Sequence, residues 1–289
     1  MSDLIIRAGA GAVITDITPE SAGWRYSGLT VVELRPGETR AWSLDADEAG
    51  LLPLRGSVDA TLTPPDGTGD AVRVTLARSR PWWEPADFAY APRGASIAVT
   101  AGPQGARLAV ARARAEGVRE VQVLRAADVA SERRGAGDCS RLVHAYTIDT
   151  AIAVDRLLVC EVLTPGGNTS SYPPHKHDEH SERERELEEI YYFEVADSPA
   201  GPGVGYHRTY GTTERPIDVL AEVRSGDVAL VPHGYHGPCV ALPGHDMYYL
   251  NVMAGPLTDA RWLATDDPHF AWIRDTWASQ SVDPRLEER

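Results

Sequence analysis

Apolar residues recur along this chain in short runs of four to eight positions, many of them alternating with polar ones. Residues 29–34, 72–77, 108–113, 157–162, 190–195, 228–231 and 248–253 all follow this pattern. Alternation at a period of two predicts strands with one face buried, at the pitch of a sandwich or barrel. Helical spacing is confined to the C-terminus, where Arg261-Trp-Leu and Phe270-Ala-Trp-Ile-Arg-Asp-Thr-Trp277 set apolar residues three or four apart. Trp262, Trp272 and Trp277 are expected to pack that segment against a sheet. Residues 284–289 read as a solvated tail, and the charge run 178–186 as a mobile surface loop.

The pattern repeats. Asp87-Phe-Ala-Tyr-Ala-Pro-Arg-Gly-Ala-Ser96 and Asp227-Val-Ala-Leu-Val-Pro-His-Gly-Tyr-His236 match at Asp, Pro and Gly, 140 positions apart, with Ser96 opposite His236. Upstream, residues 28–37 and 157–166 are each a β-rich run closed by Pro-Gly. A period this long indicates a duplicated domain rather than a solenoid. The expected division is an N-terminal barrel over 1–115, a connection over 116–140, and a C-terminal barrel over 141–289 that carries the helical segment.

Composition adds exclusions. Twenty-six Gly and twenty-one Pro suit a turn-rich β-protein. A net charge of −14 argues against a general binder of nucleic-acid backbone. Three cysteines without CxxC spacing read as core residues or free thiols of a reducing compartment. No stretch approaches the roughly 18 apolar residues of a membrane span. The first eight residues lack the basic start and apolar run of a signal peptide, and the expected location is the cytoplasm.

The chemistry is concentrated in the second half, because no histidine precedes His144. His175-Lys-His177 on a strand places two imidazoles on one face, roughly 7 Å apart along the backbone, and Lys176 on the other. His236 closes the second Pro-x-Gly turn. A carboxylate from a neighbouring strand would complete a set of three His and one Glu, suited to Zn²⁺, Mn²⁺, Fe²⁺ or Ni²⁺. The N-terminal half has no imidazole to match it and reads as metal-free.

These motifs resemble the cupins, double-stranded β-helix (jelly-roll) barrels with His-x-His and Glu in one motif and Pro-x-Gly and His in the next. Eleven residues separate His177 from Glu189, where a cupin usually has three or four, and the second motif is one residue short between Gly234 and His236. Cupin spacing alone selects Glu182. Glu189 is preferred because it opens the apolar run Ile190-Tyr-Tyr-Phe193, whereas Glu182 lies in the charge run. Glu188 is aimed the other way by alternation.

Four segments, Ser170-Ser-Tyr-Pro-Pro-His-Lys-His-Asp178, Glu188-Glu-Ile-Tyr-Tyr192, Val231-Pro-His-Gly-Tyr-His236 and Tyr248-Tyr-Leu-Asn-Val-Met-Ala-Gly-Pro256, resemble the 5-deoxyglucuronate isomerase family of bacterial myo-inositol catabolism. That family is a bicupin related to the 4-deoxy-5-keto-uronate isomerases. The resemblance implies an all-β bicupin with a short C-terminal helical segment. The implied activity is aldose–ketose isomerisation of a small sugar acid, with His175, His177, Glu189 and His236 on a divalent ion and a homo-oligomeric assembly. Within that chemistry, Tyr249 is the expected proton shuttle and Arg208 the expected carboxylate clamp. Tyr210, Asn251 and His245 are expected around the substrate. His144, His180, His207 and His269 are expected to be structural or solvated. A cupin dioxygenase using Fe or Ni, and a non-catalytic sugar-binding cupin, are the alternatives; oxygen consumption and turnover separate them.

Overall fold

The computed structural model describes residues 4–65, 69–78 and 83–286. Each of the seven apolar runs lies in a strand, save Leu157, which precedes Leu158–Thr164, and every strand pairing among the described residues is antiparallel. An eight-stranded sheet is built on two long strands, Asp47–Thr63 and Ser96–Arg114, which pair along most of their length. The second half repeats this plan with both long strands broken. Glu188–Val195 and Gly205–Tyr210 replace the first, while Tyr235–Ala241 and Met247–Ala254 replace the second. The breaks split this half into a seven-stranded and a six-stranded sheet.

The 140-residue repeat is borne out in detail. Strand Phe88–Ala91 has its counterpart in Val228–Val231. The turn glycines Gly94 and Gly234 both adopt left-handed conformations, with φ of 77° and 89°. A side chain at Gly234 would place Cβ 2.7 Å from the Tyr210 carbonyl, so only glycine fits there.

Burial follows the alternation. One apolar cluster, including Val32, Leu51, Leu76 and Val99, fills the interior of the first barrel; another, with Tyr191, Phe193, Val231 and Tyr249, fills the second. A third, including Leu29, Phe88, Tyr192, Leu230 and Leu250, joins the outer faces of the two. Two carboxylates fasten this junction reciprocally. Glu48 accepts the backbone N–H groups of Asp155, Arg156 and Leu157 at 2.6–2.8 Å, and the Tyr90 hydroxyl at 2.6 Å. Glu188, 140 residues later, accepts those of Arg25, Tyr26 and Ser27 at 2.7–3.0 Å. Each carboxylate satisfies three amides at the start of a strand of the other half, Leu158–Thr164 for Glu48 and Ser27–Leu34 for Glu188.

Several expectations are corrected. The 116–140 segment is not a bare connection: Gln122–Leu124 pairs with Phe88–Ala91 in the first sheet, and Ala130–Arg134 pairs with Arg141–Ala145 in the second half. Ile5–Ile6 pairs with Val228–Val231, so the chain's start belongs to the second half's sheet. In each case, edge strands find their hydrogen bonds across the assumed boundary. The charge run is pinned through Glu184, which is buried and accepts from the Lys176 ammonium and the N–H groups of Asp178 and Glu179. The C-terminal helical segment is short, Ile273–Thr276 followed by Trp277–Ser279, and Trp272 on it is 58% exposed rather than packed. Leu286 is buried and its carbonyl accepts from Arg133, so the tail docks at least that far. The rest of that expectation, at 287–289, lies outside the described residues.

Candidate metal centre

Two imidazoles and one carboxylate meet inside the second barrel, with a third imidazole, His175, beside them. His175 comes from the short strand His175–Lys176, His177 from the turn beyond it, Glu189 from Glu188–Val195 and His236 from Tyr235–Ala241. Register brings His175 directly opposite His236. Glu189 pairs with Val231 and Met253 on the two flanking strands. Ligand atoms of His177, Glu189 and His236 lie within 4.8 Å of one another, and all three residues are buried. His177 Nε2 is 2.8 Å and His236 Nε2 3.0 Å from the same Glu189 oxygen, Oε2. The His175 ring stands 4.6 Å from that of His236 and edge-on to Trp262 at 5.8 Å.

The tautomers follow from the backbone. Nδ1 of His175 lies 3.2 Å from the Pro173 carbonyl, that of His177 3.2 Å from Leu187 and that of His236 3.2 Å from Gly234. A carbonyl only accepts, so each Nδ1 donates, and each ring, when neutral, keeps its lone pair on Nε2; those of His177 and His236 face Glu189. Lone pairs facing a carboxylate form an acceptor-only set, which a cation satisfies, or a proton between His177 Nε2 and Glu189, 2.8 Å apart. In keeping with this, His236 Nε2 is buried with no hydrogen-bond geometry to any described group despite its 3.0 Å approach to Glu189. Burial depresses His175 far below the usual imidazole range, and the facing His236 and His177 add to this. Burial also opposes a charge on His177, but its contact with Glu189 raises it overall. Glu189 is held well below the usual carboxylate range because the facing His236 and His177 outweigh burial. Such a donor set fits a divalent cation held by three nitrogens and one oxygen.

A cavity of about 210 Å³ opens onto this cluster, lined by His175, Glu189, Tyr191, Tyr249, Asn251 and Arg141, among others. Tyr249 is where alternation places it, on the barrel's inner face; Ser171 Oγ lies 2.9 Å from its hydroxyl and 3.2 Å from that of Tyr191. Burial raises both phenols, so both stay neutral. Asn251 is buried, and its Nδ2 has no partner among the described residues. Glu182 is exposed, which leaves Glu189 as the carboxylate at the cluster.

Three expected site residues lie elsewhere. Arg208 and Tyr210 share a face of Gly205–Tyr210, but it is the outer one. Arg208 pairs with Asp218 and lies over the Tyr210 ring, whose hydroxyl donates to Asp267. The inner positions are His207 and Thr209, both buried, so the strand's phase is opposite to the one expected. A register shift between His207 and Thr209 accompanies this. His245 sits in the break before Met247, where its Nδ1 donates to Ala196. Met247 pairs with Val195, six residues from Glu189 along the strand, roughly 20 Å away.

His207, expected to be structural or solvated, is buried, with its ring 4.9 Å from Tyr191 and its Nε2 2.9 Å from the Thr209 hydroxyl. Burial, and then His236, pushes it down to about 3, so it stays neutral. In the first barrel, position 49, the 140-residue counterpart of Glu189, is a buried Ala, and Ser96 is exposed. That barrel has no equivalent cluster among the described residues.

The KduI/IolB family profile matches residues 4–273. The chain belongs to the KduI/IolB family. It is 37% identical to the 5-deoxy-glucuronate isomerase of Geobacillus thermodenitrificans over 91% of this chain and 92% of that one. To the protein of the same name from Listeria monocytogenes it is 33% identical, over 90% and 92%. The crystal structure of an iolb-like protein from Salmonella typhimurium superposes with a TM-score of 0.83 at 36% identity, covering 94% of this chain and 99% of that one. A Lactobacillus farciminis oxalate decarboxylase, solved as a formate complex, superposes with a TM-score of 0.65 at 11% identity over 92% and 89%. This second likeness concerns the fold alone, which is the bicupin. No described helix is long and apolar enough to cross a membrane.

Because Arg208 faces outward, Arg208→Ala is expected to leave kcat/KM within about threefold of the parent in a steady-state assay, the range of an ordinary surface change. A hundredfold loss would place it back in the site.

Proposed function

We propose that this chain converts 5-deoxy-D-glucuronate to 5-dehydro-2-deoxy-D-gluconate, in the cavity of its second barrel, with a divalent ion held by His175, His177, Glu189 and His236. The observation that carries this reading is the convergence of inward Nε2 lone pairs on one buried carboxylate beside that cavity. Relatives named for this isomerase, matching over nine-tenths of their length, supply the reaction.

When bound, such an ion supplies Lewis acidity and a template for two adjacent substrate oxygens. The chain's own residues supply the rest. Isomerisation removes a proton from C2 and delivers one to C1, while charge develops on the oxygens between them. Tyr249, kept neutral by burial, holds a proton and donates it in a hydrogen bond to a substrate oxygen. Ser171 links it to Tyr191, so the three hydroxyls form one chain along which a proton can move. Val143, Val162 and Met253 add apolar surface to the cavity lining beside Tyr249 and Glu189, which limits water near the reacting carbons.

The test is an assay on 5-deoxy-D-glucuronate beside D-glucuronate and a 4-deoxy-5-keto-uronate, with metal analysis of the same preparation. Fastest turnover of the first compound, without oxygen uptake and with stoichiometric divalent metal, is expected. Turnover of only the third would move the substrate, and undiminished turnover after complete chelation would overturn the role of the ion.

A further inference from the structure

Arg141 begins the strand Arg141–Ala145, is 6% exposed, and lines the same cavity as Glu189, Tyr249 and Asn251. Its Nη1 donates to the Cys139 carbonyl at 3.0 Å, and its guanidinium carbon lies 5.5 Å from the Trp277 ring centroid. The other two arginines of the cavity wall are neutralised: Arg134 pairs with Glu132 at 2.6 Å, and Arg274 with both oxygens of Asp266. Arg141 has no carboxylate partner among the described residues, and its nearest charged neighbours include Arg134 and Arg274. Burial holds its guanidinium down to about 10, which leaves it charged at neutral pH.

A buried, unpaired cation is costly unless something anionic neutralises it. In a chain with 42 acidic residues and a net charge of −14, this arginine faces a cavity instead. A second polar group of the wall waits in the same way, since Asn251 is 4% exposed and its Nδ2 has no partner among the described residues. Neither group is needed to hold the ion.

We infer that Arg141 is the carboxylate-recognising residue of the cavity, so that the site selects sugar acids over neutral sugars. The guanidinium fork takes both carboxylate oxygens, and the Asn251 amide donates to an oxygen nearer the barrel wall. The identity of the ligand rests on the isomerase reading above; its negative charge rests on the cavity alone. The role given to Arg208 by the sequence passes to a residue on the inner face of a different strand.

The test uses Arg141→Met, which keeps much of the side-chain volume and removes the charge. Equilibrium dialysis with 5-deoxy-D-glucuronate reads substrate and product held together, whether or not turnover occurs. The parallel ligand is 5-deoxy-D-glucose, with a hydroxymethyl group in place of the carboxylate. Loss of affinity for the acid on the order of 100-fold is expected, with the neutral sugar unchanged. In the steady state, KM for the acid should rise by a similar factor. Acid affinity within threefold of the parent, with a lowered melting temperature, would mean that Arg141 only braces Trp277 and the Cys139 carbonyl, and would overturn the inference.

Should Arg141→Met fail to fold, Arg141→Lys keeps the charge but loses the fork, and acid affinity equal to the parent's would overturn the inference equally. A parent protein that binds the acid through Arg141 but never isomerises it refutes the proposed function and leaves this inference standing.

Discussion

Glu189→Ala is expected to abolish stoichiometric binding of the proposed divalent ion and to lower kcat/KM by about a thousandfold or more, with the folded barrel retained. The same is expected of His177→Ala and His236→Ala. The magnitude follows from the several kcal/mol by which a Lewis acid stabilises charge developing on substrate oxygens. Retention of the fold is expected because the barrel is held by its strand ladders and its apolar cluster, not by these side chains. Atomic absorption and circular dichroism on the purified variants check both halves. Glu182→Ala is the comparison. Its side chain is exposed in the pinned 178–186 segment, and the variant is expected to keep its metal and its rate. Metal lost from the Glu182 variant and kept by the Glu189 variant would sink the assignment of the fourth ligand.

The second large effect concerns stability. Glu48→Ala is expected to cost about 4 kcal/mol, a fall in melting temperature on the order of 10 °C. The side chain is fully buried, and its loss orphans three amides of 155–157 and the Tyr90 hydroxyl at once. Glu188→Ala, its partly exposed counterpart, should cost less than half as much, because water can reach the amides of 25–27. Thermal melting of the two variants side by side checks this. Equal losses would show that the two clasps are not distinguished by burial, and a loss below about 1 kcal/mol at Glu48 would show that the junction is held mainly by the apolar cluster.

The site divides along the same line as these two predictions. His175, His177 and His236 could be read from the sequence because a metal-binding pattern is local: alternation sets the pair on one face, and a left-handed glycine turn sets the third. Glu189 could be read because it opens an apolar strand, which makes it rigid, while Glu182 lies among charges. Tyr249 and Asn251 followed from alternation on a strand whose phase was fixed by its apolar neighbours. Arg208 and Tyr210 failed because Tyr206-His-Arg-Thr-Tyr210 offers polar or amphipathic residues on both faces, so its pattern does not fix the phase. His207 lies on the inner face of that strand for the same reason, buried as a structural residue would be. Arg141 was missed because Arg141-Leu-Val-His-Ala145 gives no sign of which arginine among many lacks a partner.

The sequence by itself determined the short strands, the 140-residue duplication and the confinement of every histidine to the second half. The first two depend on side-chain periodicity and turn chemistry within a few residues. Tertiary structure alone decided which edge strands cross between the halves, that Glu48 and Glu188 clasp them reciprocally, and that Arg141 faces the cavity unpaired. The clasps join residues more than 100 apart, the edge strands pair across a boundary the pattern does not mark, and Arg141 is distinguished by the absence of a partner; none of these leaves a periodic trace in the chain.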